Sequence, residues 1–152
     1  MWFLVLKWIH VLAAITAVGA NVTYSIWIAR ASQQPKALPF VLHNISYIDR
    51  RVANPCYALL LATGLAMAST VRIPLTSPWL LTSMILYLIA ALMGIFAYAP
   101  LSRRQRKILE DHGFESSAYT AIARRGRLLG IGLTLDVLII VFLMVVKPPL
   151  WG

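Results

Sequence analysis

The chain has 152 residues, of which 60% are hydrophobic and only 12% charged, with a formal net charge of +9. Soluble domains carry roughly a quarter of their residues as charges, so this composition excludes a soluble globular module and implies one integral membrane domain over residues 1–152. The single cysteine, Cys56, excludes an internal disulfide and any cysteine-cluster zinc or iron–sulfur site.

Four apolar runs follow one another: Phe3–Ile28, Pro55–Val71, Pro78–Leu101 and Leu128–Val146. A helix needs about 20 mostly apolar residues to cross a bilayer. The expected fold is therefore all-α, a bundle of four transmembrane helices with short amphipathic connections. The first run is too long for a removable leader and lacks a small-residue cleavage signal, so it reads as a retained span. Trp2 and Trp8 open span one, Trp27 lies near its far end, Trp79 opens span three and Trp151 follows span four. These positions suit the aromatic belts at the two membrane surfaces.

The connections also carry structure. From Phe40 onward, Val41, Ile45, Ile48 and Val52 recur at helical spacing. This predicts an amphipathic helix at the inner surface, or an inward extension of span two. Asn54-Pro55 then opens span two, Pro74 and Pro78 bracket a short outer turn, and Pro100 closes span three. Arg103–His112 continues span three as a polar helix until Gly113 breaks it. Ser116 or Ser117 caps a further helix that runs into span four, and Lys147-Pro148-Pro149 stops it.

Charge placement sets the expected orientation. Arg30, Lys36, Arg50 and Arg51 lie between spans one and two. Arg103, Arg104, Arg106, Lys107, Arg124, Arg125 and Arg127 lie between spans three and four. Only Lys7, Arg72 and Lys147 fall on the other side. The positive-inside rule puts the basic connections in the cytoplasm of a bacterial inner membrane and both termini outside. The basic residues thus point to topology and anionic lipid rather than to nucleic acid.

Chemistry has few places to sit. His10, Ala14, Ala17 and Asn21 share one small, polar face of span one, which should point into the bundle. His10 is the one histidine inside a span, and imidazole ligates haem iron, copper or zinc. Met67 and Met84 fall at a similar depth on spans two and three, and histidine with thioether sulfur suits haem iron or a soft copper ion. The plainer alternatives are a hydrogen-bonded core histidine and packing methionines. Asp136, near the middle of span four, is either a proton or ion site or a helix–helix hydrogen bond with Asn21, Thr63 or Thr134. Arg103, Arg104, Arg106 and Lys107 could hold a lipid head group or a haem propionate. His43 and His112 read as solvated, and Cys56 as packing. No hydrolase triad, HExxH, phosphate loop or paired-carboxylate motif is present.

Several segments together resemble a known family. They are Leu6-Lys7-Trp8-Ile9-His10-Val11-Leu12, Asp49-Arg50, Asn54-Pro55, Thr63-Gly64-Leu65, Ala99-Pro100-Leu101-Ser102-Arg103-Arg104 and Leu143-Met144-Val145-Val146-Lys147-Pro148. In this order they resemble a domain-of-unknown-function family of small bacterial four-helix membrane proteins. That family is distantly similar to the copper-resistance D membrane proteins and to the haem-binding, HemJ-type protoporphyrinogen oxidases. The resemblance implies a haem-binding role for His10. The HemJ-type lysine early in span three has no counterpart, since the stretch here is Trp79-Leu80-Leu81-Thr82-Ser83.

Three function classes follow. The first is a redox or metal-handling protein holding haem b or copper at His10, with a cofactor-free protein equally compatible with the sequence. The second is a non-catalytic accessory subunit of a larger membrane complex of respiratory or photosynthetic type, partnered by other membrane subunits. The third is a proton or ion pathway through Asp136.

Overall fold

The computed structural model describes residues 1–150, so Trp151 lies outside the described residues. It is all-helical: α1 (Trp2–Ala31), α2 (Leu38–Ile48), α3 (Asn54–Thr70), α4 (Pro78–Leu92), α5 (Ala99–His112) and α6 (Ser117–Val146). Two π-helical segments, Asp49–Ala53 and Met93–Tyr98, fuse α2 to α3 and α4 to α5. The result is four rods of 30, 36, 35 and 30 residues, each long and apolar enough to cross a membrane.

Each π segment ends two residues before a proline, Pro55 and Pro100. A proline inside an α-helix lacks an N–H, and its ring clashes with the carbonyl four residues back. Widening the preceding turn relieves that clash. The Asn54 and Ala99 N–H groups accordingly reach back five residues, to the carbonyls of Asp49 and Gly94. So Asn54-Pro55 does not start a helix and Pro100 does not end one. The chain passes through both as continuous helix.

The four rods form a ring. α1 packs chiefly on α3, α4 on α6, and α1 also meets α6. The Tyr87 hydroxyl donates to the Tyr57 carbonyl at 3.0 Å and links α4 to α3. The contacts between rods use small residues: Ala13, Ala17, Ala68 and Ser83 are buried, as expected where helices must approach closely without a hydrophobic driving force. Leu12, Ile15, Val22 and Ile26 are exposed on the opposite side of α1.

The main apolar core sits at the basic end rather than mid-span. Ala31, Leu38, Leu42, Leu109 and Tyr119 form it, with Phe114 and Ile108 against it. The basic connections are therefore packed, not merely surface-lying. The buried face of the α2 extension is Leu38, Leu42 and Ala53, while Ile48 and Val52 are exposed. Of the expected stripe, Val41 packs on this core and Ile45 is half-buried, while Ile48 and Val52 turn outward. The π turn resets the register after Ile48, and apolar residues near a bilayer can face lipid instead of protein.

The second connection follows the expected punctuation. Gly113 adopts φ +77°, ψ 173°, a conformation open essentially to glycine alone. The Ser116 hydroxyl accepts from the Tyr119 N–H at 3.1 Å and caps α6. At the other end α6 stops at Lys147, which takes a left-handed conformation, and its ammonium lies 5.3 Å from the Trp79 ring centroid. That cation–π contact ties the start of α4 to the end of α6.

Candidate functional site

His10 is half-buried on the α1 face that meets α3. Its Nδ1 lies 2.8 Å from the Thr63 hydroxyl. The Thr63 hydroxyl donates its own proton to the Leu59 carbonyl at 2.6 Å. A hydroxyl has one proton, so while it donates to Leu59 it accepts from His10, and Nδ1 then carries the ring hydrogen. That tautomer leaves the Nε2 lone pair for a ligand; the opposite one, with Thr63 donating to Nδ1, uses the same distances. Gly64 completes the seat: a Cβ at that position would come within 3.3 Å of His10 Cε1. The motif Thr63-Gly64 thus has a physical role, one residue orienting the ring and the next making room for it.

The other sequence candidates separate. Met67 is half-buried on α3, four residues beyond Thr63 and so on the same face. Met84 is half-buried on α4, whose main partner is α6 rather than α1. Asp136 has none of its three expected partners. Asn21 donates to the Tyr57 hydroxyl, Thr63 is engaged with His10 and Leu59, and Thr134 donates to the Gly130 carbonyl at 2.8 Å. The Asp136 Oδ2 is shielded and unpartnered. His43 and His112 are exposed, and Cys56 is half-buried and free.

A second polar cluster was not anticipated. Asn21 and Tyr24 of α1 face Tyr57 of α3, and Tyr87 reaches the same residue from α4. Tyr24, Tyr57 and Tyr98 all lie in the neighbourhood of Asp49. Asp49 opens one π segment and Tyr98 closes the other, so both widened turns flank this cluster. Tyr24 is 7% exposed and its hydroxyl has no partner. The available sequence signal was Asn21 and Tyr24, three residues apart on one helical face; the partners come from three separate rods and carry no local pattern.

The arginine cluster divides by direction. Arg106 is half-buried and its guanidinium donates to the Ser46 hydroxyl at 2.5 Å. Arg103, Arg104 and Lys107 on the same helix are exposed. Among the described residues, no group of three or more His, Cys, Asp or Glu side chains could hold a metal ion.

Comparison with known proteins adds one match. The family model described as "Predicted integral membrane protein (DUF2269)" matches residues 4–148. The chain belongs to this family. The match takes in all four rods, both π segments and the seat of His10. It establishes an integral membrane protein for this DUF2269 member, in agreement with its four candidate spans. No curated protein and no solved structure matches.

Proposed function

We propose that this DUF2269 protein holds a redox-active cofactor within the membrane, with His10 Nε2 as ligand to haem iron or to a copper ion. The observation that carries the proposal is the relay from His10 Nδ1 through Thr63 to the Leu59 carbonyl. Metal-ligating histidines are commonly oriented by a hydrogen bond at the other ring nitrogen, which fixes the tautomer and raises ligand basicity. Here Thr63 accepts that bond. Met67 shares the Thr63 face and supplies a thioether of the kind that suits copper(I) or haem. A closed zinc site would need more nitrogen, sulfur or carboxylate ligands than the described residues group together. Haem or copper, when bound, supplies a one-electron change of oxidation state. The chain's own part is to orient the imidazole, through Thr63 on one side and the space left by Gly64 on the other.

The test is an absorption spectrum and metal analysis of protein purified from its native membrane. Haem gives a Soret band that His10→Ala removes; copper gives a metal content that falls on His10→Ala and on Met67→Leu. Met84→Leu has the smaller effect, because α4 packs elsewhere. Colourless, metal-free protein that is indifferent to His10→Ala would overturn the proposal.

A second reading is favoured by one observation, the unpartnered Asp136 Oδ2. A carboxyl oxygen without a partner in a span can take up and release a proton. Under that reading Asp136→Asn abolishes proton movement in reconstituted vesicles while the protein still accumulates. Unchanged proton movement in Asp136→Asn vesicles would exclude it.

A further inference from the structure

We infer that the basic end of the molecule carries a binding site for a phosphate group, distinct from the His10 site. A cavity of about 590 Å³ opens there between α2, the first π segment and α5. Its lining includes His43, Ser46, Arg50, Arg51, Arg106 and Glu110. Three guanidinium groups against one carboxylate leave the cavity strongly positive.

Topology alone does not account for this. The positive-inside rule needs basic residues on one side, not converging ones. Here Arg50 and Arg51 come from the π turn of one rod and Arg106 from another, and they line one concavity. Arg103, Arg104 and Lys107, which satisfy topology equally well, line none of it. Ser46 accepts a hydrogen bond from Arg106 and holds that guanidinium at the cavity wall. An arginine fork matches the oxygen spacing of a phosphate and binds it through two parallel hydrogen bonds. The π turn contributes by widening the helix where Arg50 and Arg51 leave it. A phosphate monoester or diester is the ligand class that this set recognises. Such a group arrives either as the head group of an anionic phospholipid or as free phosphate.

Thermal unfolding of the full-length protein in maltoside detergent, which carries no phosphate, tests the site and separates the two sources. One arm adds phosphatidylglycerol to the micelles. The other adds inorganic phosphate. Stabilisation in the first arm alone identifies a lipid head group; stabilisation by inorganic phosphate identifies a free phosphate, and either supports the site. Arg50→Gln/Arg106→Gln should weaken binding about tenfold or more, as loss of charge-assisted hydrogen bonds requires. Arg103→Gln/Arg104→Gln removes the same charge outside the cavity and should leave binding within about twofold. Arg106→Lys keeps the charge and guards against misfolding, yet should still lose affinity because the fork is gone. No stabilisation by either probe would overturn the inference. Equal losses in the two double variants would also overturn it, since diffuse charge would then explain everything.

Discussion

At the scale of single residues, His10 and Gly64 form a coupled pair. The imidazole is pinned to Thr63 and cannot retreat from a new Cβ 3.3 Å away without weakening that bond. Gly64→Ala should therefore destabilise the protein by about 1 kcal/mol or more. In a His10→Ala background the same change meets open space and should be neutral or stabilising. A double-mutant cycle read by thermal unfolding checks the reversal of sign; additive effects would show that the ring is not seated on Gly64. Asp136 allows a separate prediction. Its Oδ2 is shielded without a partner, and such an atom carries an uncompensated desolvation cost. Asp136→Leu should raise the unfolding midpoint, by about 1 kcal/mol in stability, whatever it does to function. A fall would reveal a partner for the carboxylate. The sequence made His10 conspicuous because it interrupts an apolar run. It could not reveal that Thr63 receives the ring or that Asn21 is claimed by Tyr57, since both bonds join residues far apart in the chain.

At the scale of elements, the punctuation residues do unequal work. Gly113 sits where a Cβ is strained, so Gly113→Ala should cost about 1–3 kcal/mol. Ser116→Ala removes the α6 cap and should cost about 1 kcal/mol. Both variants should unfold at lower temperature and be cut faster by protease between α5 and α6. A Gly113→Ala variant as stable as the parent would remove the strain argument. These two residues were readable in advance because a helix stop and a helix cap each have a local chemical signature. The prolines were half legible for a related reason. Pro55 and Pro100 look like helix boundaries, and hydropathy falls towards both basic extensions, so the apolar spans were expected to begin and end there, although the patterns of Phe40–Val52 and Arg103–His112 already pointed to helix on the far side of each. Hydropathy reports contact with lipid, not continuity of helix. Polar residues such as Arg103–Lys107 continue a helix well, and the π turns accommodate the proline rings.

At the scale of the whole molecule, orientation is the property that composition dictates most directly. All the basic residues of the two long connections gather at one end, where α2, α5 and the start of α6 share an apolar core. That end is expected in the cytoplasm. In a Cys56→Ser background, single cysteines at the exposed positions Gln33 and Ser117 should react with an impermeant thiol reagent only after the inner face is opened. Labelling of both in intact cells would invert the molecule. The four-rod architecture was legible because 20-residue apolar runs have few other solutions. The ring order of the rods and the convergence of arginines on one cavity were not, because they depend on which faces meet.

The two π turns have a consequence for how this chain tolerates gain and loss of residues. A π turn holds one residue more than the α turn it replaces, so it is an insertion absorbed without turning the rest of the rod. Removing one residue within Met93–Tyr98, together with Pro100→Ala to spare the rewound helix a ring clash, should yield a plain α-helix whose α5 still faces Ser46. Removing one residue from α4 outside that stretch should instead swing everything beyond it by about 100°. The two prolines would then mark the places in this chain where a codon can be lost or gained with least damage.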